Sequence, residues 1–202
     1  MREYMVQFEI AGPVAIFTRP DCGAAFVSYP PPTHSAVKGM FECVAWFKSA
    51  FIRPTKVEIC APIQYQTYMT NYGGPLRKSN QISKGSPYQL VATILADVCY
   101  RVYGEVEAFT QAPQNINHLH ALQDIFLRRL EKGQLYHTPF LGWKEFAPSY
   151  FGPLRPETRV DESINLSLPS MLFSVFDRPT NGRRAAQYRQ DVQVKKGVLD
   201  YA

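Results

Sequence analysis

Long apolar runs are missing from this 202-residue chain, and so are the usual anchors of a metal or small-cofactor site. No stretch approaches the length of a membrane-spanning helix. Met1-Arg2-Glu3-Tyr4 leads straight into alternating residues, without the apolar core of a secretion signal. Only four cysteines occur, Cys22, Cys43, Cys60 and Cys99, and none stands in a C-x-x-C pair. Such spacing suggests neither a zinc site nor a disulfide framework, and free thiols suit a reducing cytoplasm. A Gly-rich phosphate loop, a clear catalytic triad, internal repeats and low-complexity segments are lacking too. The expectation is a cytoplasmic protein with no cofactor, no metal and no membrane attachment.

What is present describes a folded globule. Hydrophobic residues make up 46 % of the chain and aromatics 13 %, too much for disorder and enough for one well-buried domain. The net charge of +5 is compatible with a nucleic-acid partner without requiring one. Its distribution is uneven. Within residues 177–202, Arg178, Arg183, Arg184, Arg189, Lys195 and Lys196 face only Asp177, Asp191 and Asp200, leaving +3. A basic terminus of this kind either touches nucleic acid or is simply solvated.

Periodicity supplies an outline. Tyr4, Val6, Phe8 and Ile10 alternate with polar residues, as in a half-buried strand. Val37, Met40, Phe41, Val44 and Phe47 give residues 33–48 a helical core face. Residues 56–69 read as a strand disturbed at Pro62. Residues 71–87 are rich in Gly, Ser, Asn and Lys and read as a projecting hairpin, a thumb carrying Arg77, Lys78 and Lys84. Residues 88–109 form a long strand-like run. Residues 115–132 form a second helix, with Leu119, Leu122, Phe126 and Leu130 inward and Gly133 just past its end. Strands follow near 138–146 and 170–176. The order β-α-β-(hairpin)-β-α-β is the split βαβ, ferredoxin-like pattern of an α+β fold. The expected domain is 1–176, with 177–202 as a basic C-terminal extension.

One block has more character than the rest. Pro30-Pro31-Pro32 holds the chain extended and cannot enter a helix interior, so a helix must start after it. Thr33 or Ser35 can cap the exposed N–H groups that follow. A helix start with Lys38 nearby is a natural anion site.

The block also resembles a known family. Phe17-Thr18-Arg19-Pro20, Val27-Ser28-Tyr29, Thr33-His34-Ser35-Ala36-Val37-Lys38-Gly39, Glu42 and Trp46 follow one pattern without gaps. It is that of the handle-binding subunit of type I-C CRISPR surveillance complexes, the Dvulg-type fifth Cas family. Further matches fall in order: Pro62-Ile63, Ala92-Thr93-Ile94-Leu95, Asp97-Val98, Asp124-Ile125-Phe126, Gly133-Gln134, and Pro139 through Phe146. The resemblance covers roughly residues 6–176. It implies an RNA-recognition-motif-like (RAMP) core with a thumb, and a protein that binds the 5′ handle of a CRISPR RNA. It also implies contacts with the Cas backbone subunits and large subunit of a Cascade-type complex, and target DNA met only indirectly. Arg19, Tyr29, Ser35, Lys38, Trp46, Asn71, Arg77, Lys78 and Lys84 are the implied RNA-binding candidates. Trp46 could instead be packing, and the thumb cations solvated.

Many members also cut precursor RNA without metal, using a Tyr or His before the Trp and a Lys-His pair ahead of Asp-Ile-Phe. Here those positions are Ala45 and Ala121-Leu122, which can neither take nor give a proton. Three readings follow. The first is a subunit that binds CRISPR RNA without processing it. The second is an endoribonuclease using His118 or His120, since His118 shares a helical face with Leu122. The third is an unrelated ferredoxin-like interaction protein. As a metal site, His118-x-His120 would need a third ligand such as His137 or His34.

Overall fold

The strand signal at the N-terminus is realised as β1 (Met5–Ala15), followed by the two-residue β2 (Phe26–Val27) and helix α1 (His34–Val44). Next come β3 (Ala50–Ile59), β4 (Gln64–Tyr72), the short helix α2 (Ser79–Ser83) and the 21-residue β5 (Tyr88–Ala108). Helix α3 (His118–Glu131) precedes β6 (Tyr150–Gly152), β7 (Leu166–Ser174), β8 (Gln187–Lys195) and β9 (Val198–Asp200). This computed structural model describes residues 4–72, 74, 77–109, 117–175 and 184–201.

The nine strands among the described residues join one sheet in the order β6-β1-β5-β3-β9-β8-β7, with β2 and β4 also on β5. The first four members are the split βαβ arrangement expected from the sequence. Strand β5 is the spine and serves two storeys. Its lower part lies between β1 and β3, while residues 88–96 pair with β4. Asp97 marks the change with a φ of 50°, a left-handed conformation that a short polar side chain tolerates. Val6, Phe8 and Ile10 of β1 are buried, and Phe8 packs edge-on against Phe41 of α1, which in turn meets Phe126 of α3. The core therefore lies between the sheet and the two helices.

Several expectations change in detail. Helix α1 stops at Val44 instead of running to 48, because Ala45 is already extended. The strand expected over 56–69 is two strands on one edge of β5, separated where Pro62 has no N–H to offer. No strand forms over 138–146. Pro139 has no N–H to offer a ladder, and Gly142 sits at φ 99° with Ile16 O only 1.7 Å from where a Cβ would be. The edge strand comes later, as β6. The C-terminal segment is not merely an extension of the sheet domain, since β8 and β9 pair within the sheet and Tyr201 is buried. Arg178 and Arg183 of that segment lie outside the described residues. No helix among the described residues is long and apolar enough to cross a membrane.

Candidate nucleic-acid interface

The Pro-rich approach to α1 is clamped from below. Tyr100 donates its hydroxyl to the carbonyl of Pro30 at 2.8 Å, and Tyr201 donates to that of Pro32 at 2.6 Å. Thr33 is the cap: its hydroxyl accepts the Ala36 N–H at 3.2 Å. Ser35 lies 3.2 Å from that hydroxyl and faces solvent. Upstream, the two halves of the motif pair with each other. Arg19 N–H donates to Val27 O, Tyr29 N–H to Phe17 O, and Phe17 N–H to the Ser28 hydroxyl. Tyr29 is 3 % exposed, and its hydroxyl accepts from Leu172 N–H of β7. An enclosed ring of this kind ties the loop to β7 and presents little surface to a ligand.

Arg19 is open to solvent but already engaged. Its guanidinium grips Asp21 through two hydrogen bonds of 3.1 and 2.7 Å. The same contact holds the Asp21 carboxyl at about 2, well below the usual carboxylate range. Lys38 is half-buried on α1, one turn before Glu42. Trp46 is 55 % exposed, so it lies outside the core and leaves its ring available for stacking. On the thumb, Asn71 is exposed at the end of β4, opposite Gln89. Arg77 staples the tip by donating to the carbonyls of Gly74 and Ser86. Lys78 and Lys84 flank α2 and are exposed. Lys78 and Tyr88 share an open groove of about 610 Å3 with Ala24, so the thumb tip faces the loop that follows Arg19.

The sheet face away from the helices is occupied by side-chain ion pairs. Glu9 is fully buried there. It accepts from Arg155 side chain and backbone at 2.6 and 3.0 Å and from Thr158 at 2.8 Å, with Arg101 at 3.6 Å. Burial pushes the Glu9 carboxyl up, but the Arg155 and Thr158 hydrogen bonds outweigh it and the net shift is downward. Lys56 covers the Tyr103 ring at 4.2 Å, and Arg53 bridges Glu105 and Glu107. Bases cannot stack on a face whose aromatic ring is covered and whose charges are paired.

Of the positions expected for processing chemistry, Ala45 and Leu122 are sealed and Ala121 is half-buried. Ala45 is 2 % and Leu122 0 % exposed. Val44, next to Ala45, accepts a hydrogen bond from Arg129 in the last turn of α3 at 2.9 Å. Leu122 lies seven residues earlier on that helix, about 10 Å of helical rise away. His118 is 7 % exposed, and its Nδ1 has no hydrogen-bond partner among the described residues. His120 points elsewhere, stacked on Tyr4 with ring centroids 6.2 Å apart. His34 stacks on Phe173 at 3.9 Å. Among the described residues, no three of His, Cys, Asp and Glu converge to hold a metal.

A second groove, of about 260 Å3, was not foreseen. It runs along α1 past Ser35, Gly39, Glu42 and Cys43, and is closed by His137 and Phe140. His137 Nδ1 lies 3.2 Å from Cys43 Sγ, and the Cys43 carbonyl accepts the Tyr136 N–H at 2.7 Å. Burial pushes the Cys43 thiol up to about 11. Burial also raises the Glu42 carboxyl, against the opposing pull of Lys38 and His137. These groups are more than 90 residues apart in the chain, and only the stacking of the 134–142 segment on α1 joins them.

The chain matches the family described as CRISPR-associated protein (Cas_Cas5) over residues 5–176. A Thermus thermophilus protein named CRISPR pre-crRNA endoribonuclease Cas5d is 32 % identical over 189 residues, covering 92 % of this chain and 79 % of that one. A protein of the same name from Mannheimia succiniciproducens is 26 % identical over 188 residues, covering 86 % and 80 %. Among solved structures, a CRISPR-associated protein superposes with a TM-score of 0.71 at 19 % identity, covering 98 % of this chain and 91 % of that one. A chain of a CRISPR RNA-guided surveillance complex gives 0.56 at 16 % identity, with 98 % and 91 % covered. At those identities the superpositions speak for the fold alone. With the family match running from β1 through β7, and a relative sharing 32 % of residues across 92 % of the chain, this protein belongs to the CRISPR-associated Cas5 family.

Proposed function

We propose that this chain binds the 5′ handle of a CRISPR RNA as a subunit of a Cascade-type complex in the cytoplasm and does not process the precursor itself. Its protein partners in this reading are the Cas backbone subunits and the large subunit, and it meets target DNA only through them. RNA runs along the groove between the Arg19 loop and the thumb, with Arg19, Lys38, Lys78 and Lys84 toward phosphates and Trp46 toward a base. Ser35 and Asn71 offer polar contacts, and Arg77 holds the tip in shape. The sheet face covered by paired charged side chains supports this placement by removing the alternative platform. The observation that carries the reading is the burial of Ala45 and Leu122 in apolar surroundings. Metal-independent cutting needs a base for the ribose 2′-hydroxyl and a cation for the phosphorus centre. Neither side chain supplies them. A separate nuclease then makes the mature RNA. In a gel-shift assay with labelled repeat RNA in EDTA, the protein is expected to retard the RNA. Absence of a shift up to tens of micromolar protein, at low salt, would overturn the reading.

A second reading has one observation in its favour. His118 is buried on the same face of α3 as Leu122, with an imidazole nitrogen lacking a partner among the described residues. If it or His120 acts as a base, the double substitution to alanine must abolish cleavage of repeat RNA. Unchanged cutting by that variant ends the idea.

A further inference from the structure

The groove beside α1 has the dimensions and chemistry of a subsite for one nucleobase. Its volume of about 260 Å3 falls below the roughly 300–1,000 Å3 of pockets that enclose drug-sized ligands. That suits a single planar ring better than a folded segment. Gly39 keeps the groove open: a Cβ there would meet nothing within 4 Å. Phe140 and Met40 supply apolar wall, and a base can lie flat against such a surface. Ser35 lies at the rim and Lys38 on the same helix, on the side from which a phosphate would approach.

The polar groups narrow the choice of base. Among the described residues Glu42 is the sole carboxylate lining this groove, and an ionised carboxylate only accepts hydrogen bonds. The occupant must therefore bring N–H donors. On their Watson–Crick edges, adenine and cytosine each present one exocyclic amine beside an acceptor nitrogen, and uracil presents one ring N–H between two carbonyls. Guanine alone presents two adjacent donors, N1–H and N2–H, spaced to meet both carboxylate oxygens. His137, 3.2 Å from Cys43 Sγ, is exposed at the mouth and positioned to meet the guanine O6 or N7 acceptors. We propose that this groove receives one guanine of the bound RNA strand, its Watson–Crick edge donating to Glu42 and its ring lying against Phe140. The inference rests on the RNA-binding reading above and adds a base-specific contact to it.

The test uses fluorescein-labelled heptanucleotides UUUGUUU, UUUAUUU, UUUCUUU and UUUUUUU, with affinity read by anisotropy on the full chain. UUUGUUU should bind about tenfold more tightly than the other three, within the range of a bidentate side-chain–base pair. Inosine at the central position lacks the N2 amine and should recover only part of that gain. Glu42→Gln and Gly39→Leu should each bring UUUGUUU down to the level of UUUUUUU. Gly39→Leu removes a helical glycine and points into open space, so cooperative thermal unfolding should be preserved in it. Equal affinities for all four oligonucleotides overturn the inference while leaving RNA binding intact. A guanine preference that survives both substitutions also overturns it, since guanine is then read elsewhere. Failure to bind any of the four overturns this inference and the RNA-binding reading together.

Discussion

Leu122 is the position at which the resemblance demands an imidazole and the fold supplies a hydrocarbon. Leu122→His places that imidazole in a site with 0 % exposure, on the helix face that also carries Phe126 and Leu130. The cost has two parts. Lost apolar transfer and imperfect refilling contribute about 1–2 kcal/mol, below the 2–5 of a truncation to alanine because the ring occupies much of the space. Burying a polar ring without a dedicated partner adds about 1–3 kcal/mol. A total near 3 kcal/mol lowers the melting temperature by roughly 6–12 °C in a domain of this size. The penalty also depends on pH. Burial holds the new imidazole neutral, so its folded pKa lies below the unfolded value of about 6.5. Below that value the unfolded chain binds the extra proton, and stability falls further as pH drops. Between pH 7.5 and 5.5 the variant should lose about 1.4 kcal/mol more than wild type. Urea denaturation followed by circular dichroism at both pH values measures each part. A variant melting within 2 °C of wild type, with no added acid sensitivity, would show that position 122 opens to solvent. The structural argument for the proposed lack of processing would then fail.

Three further outcomes follow from other contacts. Glu9→Gln keeps the shape but leaves Arg155 and Arg101 facing a neutral group. It should cost about 2–4 kcal/mol at pH 7, less than a fully enclosed pair because Arg155 is 35 % exposed. The Glu9 carboxyl is held below its ordinary value, so its contribution is complete above that value and fades as pH falls through the folded one. The urea midpoints of wild type and variant should therefore converge in acid, and a constant gap would refute this. Tyr201→Phe removes the 2.6 Å bond to the Pro32 carbonyl, with an expected loss of about 1–2 kcal/mol by thermal denaturation; an unchanged melting temperature would detach the C-terminus from the start of α1. Arg19→Ala should weaken binding to any RNA and reduce the slope of log affinity against log salt by about one, measured by filter binding from 50 to 200 mM salt; an unchanged slope removes Arg19 from the phosphate contacts.

The α+β outline was legible because each element has a strong local period. β1 alternates, α1 and α3 carry stripes at helical spacing, and Gly133 ends α3 in a left-handed conformation at φ 63°. What escaped the sequence depends on tertiary partners. Val192, Val194, Val198 and Leu199 carry an apolar pattern, but the surrounding Arg and Lys residues drew attention to charge, and only pairing with β3 and β7 makes β8 and β9 strands. The site was legible in part. The Phe-Thr-Arg-Pro and Val-Ser-Tyr strings stood out, yet Ser28 and Tyr29 turn inward as fasteners of the loop. Trp46 sits just beyond the apolar stripe of α1 and suggested packing, whereas the helix ends at Val44, four residues short of 48, and leaves the ring outside. No local signal joins Cys43 to His137, because the 134–142 loop, read in part as a strand over 138–146, meets α1 only through tertiary packing.

The most direct test of binding without cutting is the intact mass of repeat RNA. A several-fold excess of protein is incubated overnight with the RNA in EDTA, at a concentration where gel shift shows full occupancy, and the RNA is recovered for mass spectrometry. Full-length RNA as the sole species is the predicted result. A discrete pair of fragments, one ending in a 2′,3′-cyclic phosphate and the other beginning with a 5′-hydroxyl, would contradict the account.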